Sequence, residues 1–240
     1  MPPLLASWMM PSHTNPEIVG ILLRWTHVLA AITWVGLIYY FNFVNIPFMK
    51  QLAPEMRPTI FQKLTLPLLE WFRWSALVTV FLGFWYWGQI YVAASAHLEG
   101  KNPLGTIGLF LLIWAVLGWH ILFVAIRRVP NAWALTVITV IVVVGCSWAF
   151  LRFIPVGGGD NHVLCIGIGG GIGWMMGANV LGIIYKNNRK IIDGTLAGTP
   201  PANAATLALQ SFRAARMNLY LSFPAVFFMA AGSHFPLFGR

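Results

Sequence analysis

Read for the spacing of its apolar and polar positions, the chain is a series of long apolar runs parted by short polar breaks. Six runs stand out, at about 18–46, 67–95, 104–126, 132–154, 162–185 and 217–238. Each supplies the roughly 20 residues or more that a helix needs to cross an apolar layer about 30 Å thick. None alternates with the period of two that marks a membrane β-strand. Each therefore predicts a helix that satisfies its own backbone in lipid. The expected fold is all-α: a polytopic membrane helix bundle with residues 1–240 as one transmembrane domain. The longest break, about 186–216, carries Gly198, Pro200, Pro201 and then an Ala-rich stretch. It predicts a cytoplasmic loop holding a short helix, and no segment outside the runs is long enough to bury a separate core.

Composition removes the soluble alternative. Hydrophobic residues make up 58% of the chain and charged ones 9%, too few charges to cover a water-exposed surface. The excess of 15 Lys and Arg over 6 Asp and Glu would suggest nucleic acid in a soluble protein. Here its distribution gives an orientation instead. Counted through the five breaks in order, Lys and Arg number 3, 1, 2, 0 and 5, so the first, third and fifth breaks are expected in the cytoplasm and both termini on the periplasmic side. The first 17 residues hold no Lys or Arg and so lack the basic start of a signal peptide. Cys146 and Cys165 both fall in apolar runs and imply no disulfide framework.

With so few charges, the ionisable groups within the runs carry the chemical information, because such groups are costly in lipid. The first run holds Arg24 and His27, with Ala30 and Ala31 one turn beyond the histidine. Small residues at that spacing predict a hollow beside the imidazole. A haem bound through its iron could use such a hollow, with Arg24 in reach of a propionate. The competing reading is a histidine bonded to a neighbouring helix and an arginine snorkelling to the headgroups. In the predicted topology His234 and His162 lie at the outer membrane boundary and could share an outer haem with His27. His120 lies nearer the cytoplasmic side, where it could serve a second haem or bond a neighbouring backbone. His97 falls just outside the second run and reads as solvated.

Other patterns are weaker signals. Gly169, Gly173 and Gly177 form a small-residue stripe on the fifth run, which predicts close approach of another helix or a flat cofactor. The stripe is not a dinucleotide fingerprint, because Ile172 stands where the third glycine belongs and no strand precedes it. His162 and Cys165 are spaced as two metal ligands without a companion cluster. Glu70 and Arg73 are spaced as an ion pair on one helix face. There is no nucleophile box, P-loop or paired carboxylate, which leaves electron transfer, transport or scaffolding.

Three stretches together resemble a known family. The first is 24–40, with Arg24, His27, Trp34, Gly36 and Tyr40. The second is 69–74, with Glu70, Trp71, Arg73 and Trp74, leading to Gly83. The third joins Asn179, Lys186, Arg189 and Lys190 to Arg216, Asn218, Tyr220, Pro224, His234 and Pro236. In order and spacing they resemble the membrane domain of bacterial membrane-bound urate oxidases (urate hydroxylases). The first run alone is also similar to a helix of membrane protoporphyrinogen oxidases and copper-resistance D proteins. The resemblance implies a haem b-binding electron-transfer protein of the bacterial inner membrane, with one haem or two. His27, His234 and His120 would be iron ligands in that order of preference, and Arg24 a cofactor contact. In the family electrons pass to a fused cytochrome c domain, whose Cys-x-x-Cys-His does not occur in these 240 residues. A separate cytochrome c or a larger respiratory complex is the expected partner. The chain departs from the family where Met217, Glu70 and Gly167 replace histidines, which implies a kept scaffold with altered chemistry. An oxidase of urate or another small purine, with Arg24, Asn179 and Asn218 as its polar pocket, is the second expectation. A cofactor-free structural subunit is the third.

Overall fold

A computed structural model describes residues 15–238, so all but the last three of the 17 residues read for a leader, and the last two residues of the chain, lie outside the described part. The helices are α1 Glu17–Gln51, α2 Pro54–Glu99, α3 Leu104–Arg128, α4 Ala132–Phe153, α5 Asn161–Leu196 and α6 Ala204–His234. No strand occurs among the described residues. The first five are long and apolar enough to cross a membrane. In α6 the apolar stretch is confined to the second half, because Arg213 and Arg216 sit in the first. The chain is thus a multi-pass membrane protein by the length and composition of its helices.

Local chemistry sets the helix ends. Asn131 accepts hydrogen bonds from the N–H groups of Trp133 and Ala134 and starts α4. Asp160 does the same for His162 and Val163 at the start of α5, satisfying N–H groups that no helical carbonyl can reach. Gly100, at φ 63°, ends α2 in the left-handed conformation that glycine tolerates.

The helices extend well past the apolar runs at the end of the bundle bearing Lys50, Lys63 and Lys186. The expected break at 47–66 is helical except at 52–53 and around a single 3₁₀ turn. The expected loop at 186–216 shrinks to 197–203, because α5 runs on to Leu196 and α6 begins at Ala204. Hydropathy falls where the chain meets water, but a helix can continue there. Pro54 opens α2 at an early helical position, where a missing N–H costs nothing.

Two antiparallel pairs, α1 with α2 and α5 with α6, make the most extensive contacts. In its most apolar window α5 is 72% buried, against 11% for α1, so α5 is the axis of the bundle. The lipid-facing side is plain on α4, where Val140, Ile141, Val144 and Trp148 are all exposed. Part of the glycine stripe does the packing expected of it. Gly169 lies against the α6 backbone at Ala225, and Gly177 against Val80 of α2.

At the basic end a polar network ties α2 to α5. Glu70 pairs with Arg73 at 2.7 Å, as its spacing predicts, and also with Arg189 at 3.3 Å. The Tyr185 hydroxyl donates to Glu70 at 2.6 Å and accepts from Arg73 at 3.0 Å.

Candidate functional site

His27 faces α2 and not lipid. Its Nδ1 lies 2.8 Å from the Thr79 carbonyl oxygen. A carbonyl only accepts, so Nδ1 carries the proton and Nε2 keeps its lone pair. The Thr79 hydroxyl donates at 2.7 Å to the Ser75 carbonyl one turn back. The imidazole rests on Gly83, where a Cβ would come 2.5 Å from Cε1 and 2.8 Å from Nδ1. Glycine at 83 therefore makes the room for the ring. A histidine held by a backbone carbonyl through one nitrogen, with the other free, is oriented as metal-binding histidines are.

Beside this histidine lies a cavity of about 190 Å³. Gly170 and Gly173 of α5 form one wall, and Met229 and Ser233 of α6 another. Nothing would lie within 4 Å of a Cβ on Gly173, so this member of the stripe opens space where Gly169 and Gly177 close it. Aromatic rings complete the lining, with Phe84 5.3 Å from Phe110 and 5.4 Å from Trp174 between centroids. Trp87 is fixed by its Nε1–H donating to the Val163 carbonyl at 3.1 Å. Trp34 also lines the cavity, and its buried Nε1–H has no acceptor in the protein. Arg24 lines the cavity and is exposed. Ala30 and Ala31 are absent from the lining, so the space beside His27 comes from glycines of other helices.

The structure brings Arg24 and His27 together and leaves the other histidines apart. His234 ends α6 in an exposed position outside the lining, although Ser233 next to it belongs to it. His120 is exposed, and its Nδ1 bonds the Val116 carbonyl of its own helix at 2.6 Å. His162 stacks on Tyr91 at 5.1 Å, and His97 is exposed. Cys165 donates to Asn161 at 3.3 Å. Among the described residues no cluster of three His, Cys, Asp or Glu could hold a metal ion.

Asn179 and Asn218 do not join Arg24. Both are fully buried and link α5 to α6, Asn179 donating to Asn218 at 3.0 Å and Asn218 to the Met176 carbonyl at 2.9 Å. Asn218→Ala strands both partners, and a loss of about 1–2 kcal/mol is expected, read as a lower melting temperature in detergent. An unchanged melt would show that the pair holds nothing together. The three positions where the resembled family has histidine carry other contacts. Glu70 belongs to the polar network, the Met217 sulfur takes the second Asn179 N–H contact at 3.7 Å, and Gly167 packs under Phe150.

Thr79 and Gly83 are not identifiable as site residues from the sequence, because they contribute a main-chain oxygen and a missing side chain. Gly173 belongs to the stripe whose spacing admits a helix or a flat cofactor, and it lines the cavity. No curated protein matches the chain, and no solved structure does. The urate oxidase N-terminal family matches residues 58–239, most of the chain, leaving the helix that bears Arg24 and His27 outside the matched region. By that match, the chain belongs to the urate oxidase N-terminal family.

Proposed function

We propose that the protein is a haem b-binding electron-transfer subunit of the bacterial inner membrane, with His27 as the protein's iron ligand and Arg24 beside a haem propionate. The observation that carries this reading is the Nδ1–H bond from His27 to the Thr79 carbonyl. It fixes the tautomer and leaves Nε2, on a residue lining the cavity, free to coordinate. The donor chemistry fits haem with one protein ligand, and the aromatic and glycine walls suit a flat apolar group. The volume is less accommodating. A cavity of about 150 Å³ takes a benzene, so about 190 Å³ holds only part of a macrocycle as the helices stand.

Haem would supply a one-electron couple. This chain's own residues do the rest. Thr79 orients the imidazole, Arg24 offers a cation for a carboxylate, and the aromatic wall keeps water from the buried side. A cytochrome c on the periplasmic side, or a larger respiratory complex, is the expected electron partner. His27→Ala is expected to abolish the Soret band of the purified protein, while His120→Ala and His234→Ala leave it in place. A His27→Ala protein with an unaltered haem spectrum would refute the assignment.

The family match and the size of the cavity favour a second reading, an oxidase of urate or another small purine bound beside Arg24 and His27. Reduction of cytochrome c in membranes on addition of urate would support it, and no urate-dependent reduction would count against it.

A further inference from the structure

A second cavity, of about 160 Å³, lies at the other end of α1, between α1, α2, α5 and α6. Asn42 is 15 residues from His27, roughly 22 Å along the helix at 1.5 Å per residue, so the two sites are separate. The lining carries an unusual set of polar atoms. Asn42, Asn45, Thr65 and Ser211 line it, and their side-chain oxygens are all buried without a hydrogen-bond partner in the protein. Asn42, Thr65 and Ser211 are 2%, 9% and 4% exposed. Buried polar atoms are otherwise almost always paired, and here four unpaired ones belong to residues that line one cavity.

The direction of the Asn42 amide is fixed. Its Nδ2 donates to the Ile38 carbonyl at 2.9 Å and the Ala215 carbonyl at 3.3 Å, so the free atom is the acceptor oxygen. Three of the segments that supply the lining, Tyr40–Asn45, Phe61–Thr65 and Val180–Tyr185, are π-helical. Such local widening of a helix recurs at functional sites. No Lys, Arg, His, Asp or Glu lines the cavity, while Phe41, Phe72 and Phe212 do. Thr65, Asn188 and Ser211 lie beyond the apolar runs, where the helices extend toward water.

We propose that this cavity binds a small, uncharged, planar molecule that offers several N–H or O–H donors. Two amide oxygens accept from the ligand, two hydroxyls accept or donate, and the phenyl rings cover its faces. A volume near that of a benzene-binding cavity sets the size at one or two rings. The absence of any charged lining group excludes ions, because an ion held there would be unpaired in a buried site. Two sources could supply this chemistry: a neutral heterocyclic base from the aqueous side, or the headgroup of a membrane quinol.

The test uses the full chain in lipid nanodiscs, with hypoxanthine and a short-chain ubiquinol as separate probes in titration calorimetry. Saturable binding of either probe supports the proposal and identifies the source. The double variant Thr65→Val, Ser211→Ala deletes two hydroxyls that bond nothing in the protein. It is expected to weaken that binding about tenfold or more while melting no lower than the parent without ligand. Binding of neither probe, or equal binding by the double variant, overturns the proposal. So does a lower melting temperature of the ligand-free variant, because the hydroxyls would then be serving the fold. None of these readings involves haem, so the outcome is independent of the function proposed for the His27 site.

Discussion

Gly171→Ala is expected to lower stability by about 3 kcal/mol, the upper end of what one added methyl does in a packed interior. The new Cβ would overlap the indole of Trp114, on the Cδ2 and Cε2 atoms. That indole is fully buried, so it has no open direction in which to swing, and α3 must move off α5. Stability curves for proteins of this size translate such a loss into a fall of roughly 6–12 °C in Tm. Gly173→Ala is the matched control, two residues along the same helix. A Cβ there meets nothing within 4 Å, and alanine is the better helix former by about 0.5–1 kcal/mol. Its melting temperature is expected to hold or rise. Equal losses at the two positions would contradict the packing described for α5.

The second large effect is expected at the histidine. Gly83→Ala places a methyl 2.5 Å from His27 Cε1, closer than carbon atoms approach. Either the imidazole leaves the Thr79 carbonyl or α1 moves away from α2, at a cost of about 1–3 kcal/mol. In both cases Nε2 loses its orientation, so haem content is expected to fall with the stability. A Thr79→Val variant separates these causes. It removes the threonine hydroxyl but keeps the carbonyl that holds His27, and haem content is expected to survive. Full haem in Gly83→Ala would mean that the fit of this ring to α2 is irrelevant to the site.

The two levels of the account were not equally legible in the sequence. Hydropathy finds the runs because lipid demands them, and five of the six coincide with helices fit to span. The sixth, 217–238, is the later part of α6, a helix that starts 13 residues earlier in a polar stretch. Helix length is missed for a related reason: at 47–66 and 186–216 the chain is polar yet stays helical, and polarity alone reads as loop. Arg24 and His27 stand out because an ionisable group within an apolar run is rare. Their partners Thr79 and Gly83 do not, since Thr79 acts through its backbone and Gly83 through empty space. The cluster of Asn42, Asn45, Thr65 and Ser211 is spread over 170 residues of sequence, and unpaired atoms can be recognised only after every other bond is placed. The glycine stripe is intermediate. Its spacing marks one face of α5, but only the packing shows that Gly169 and Gly177 close on neighbours while Gly173 opens onto the cavity.

The proposal tested most directly is that His27 is the protein ligand of a haem. The most direct measurement is a reduced-minus-oxidised absorption spectrum of the purified full chain. A b-type difference spectrum with about one haem per chain, lost in His27→Ala, is the predicted result. A colourless protein that folds and melts cooperatively would contradict it.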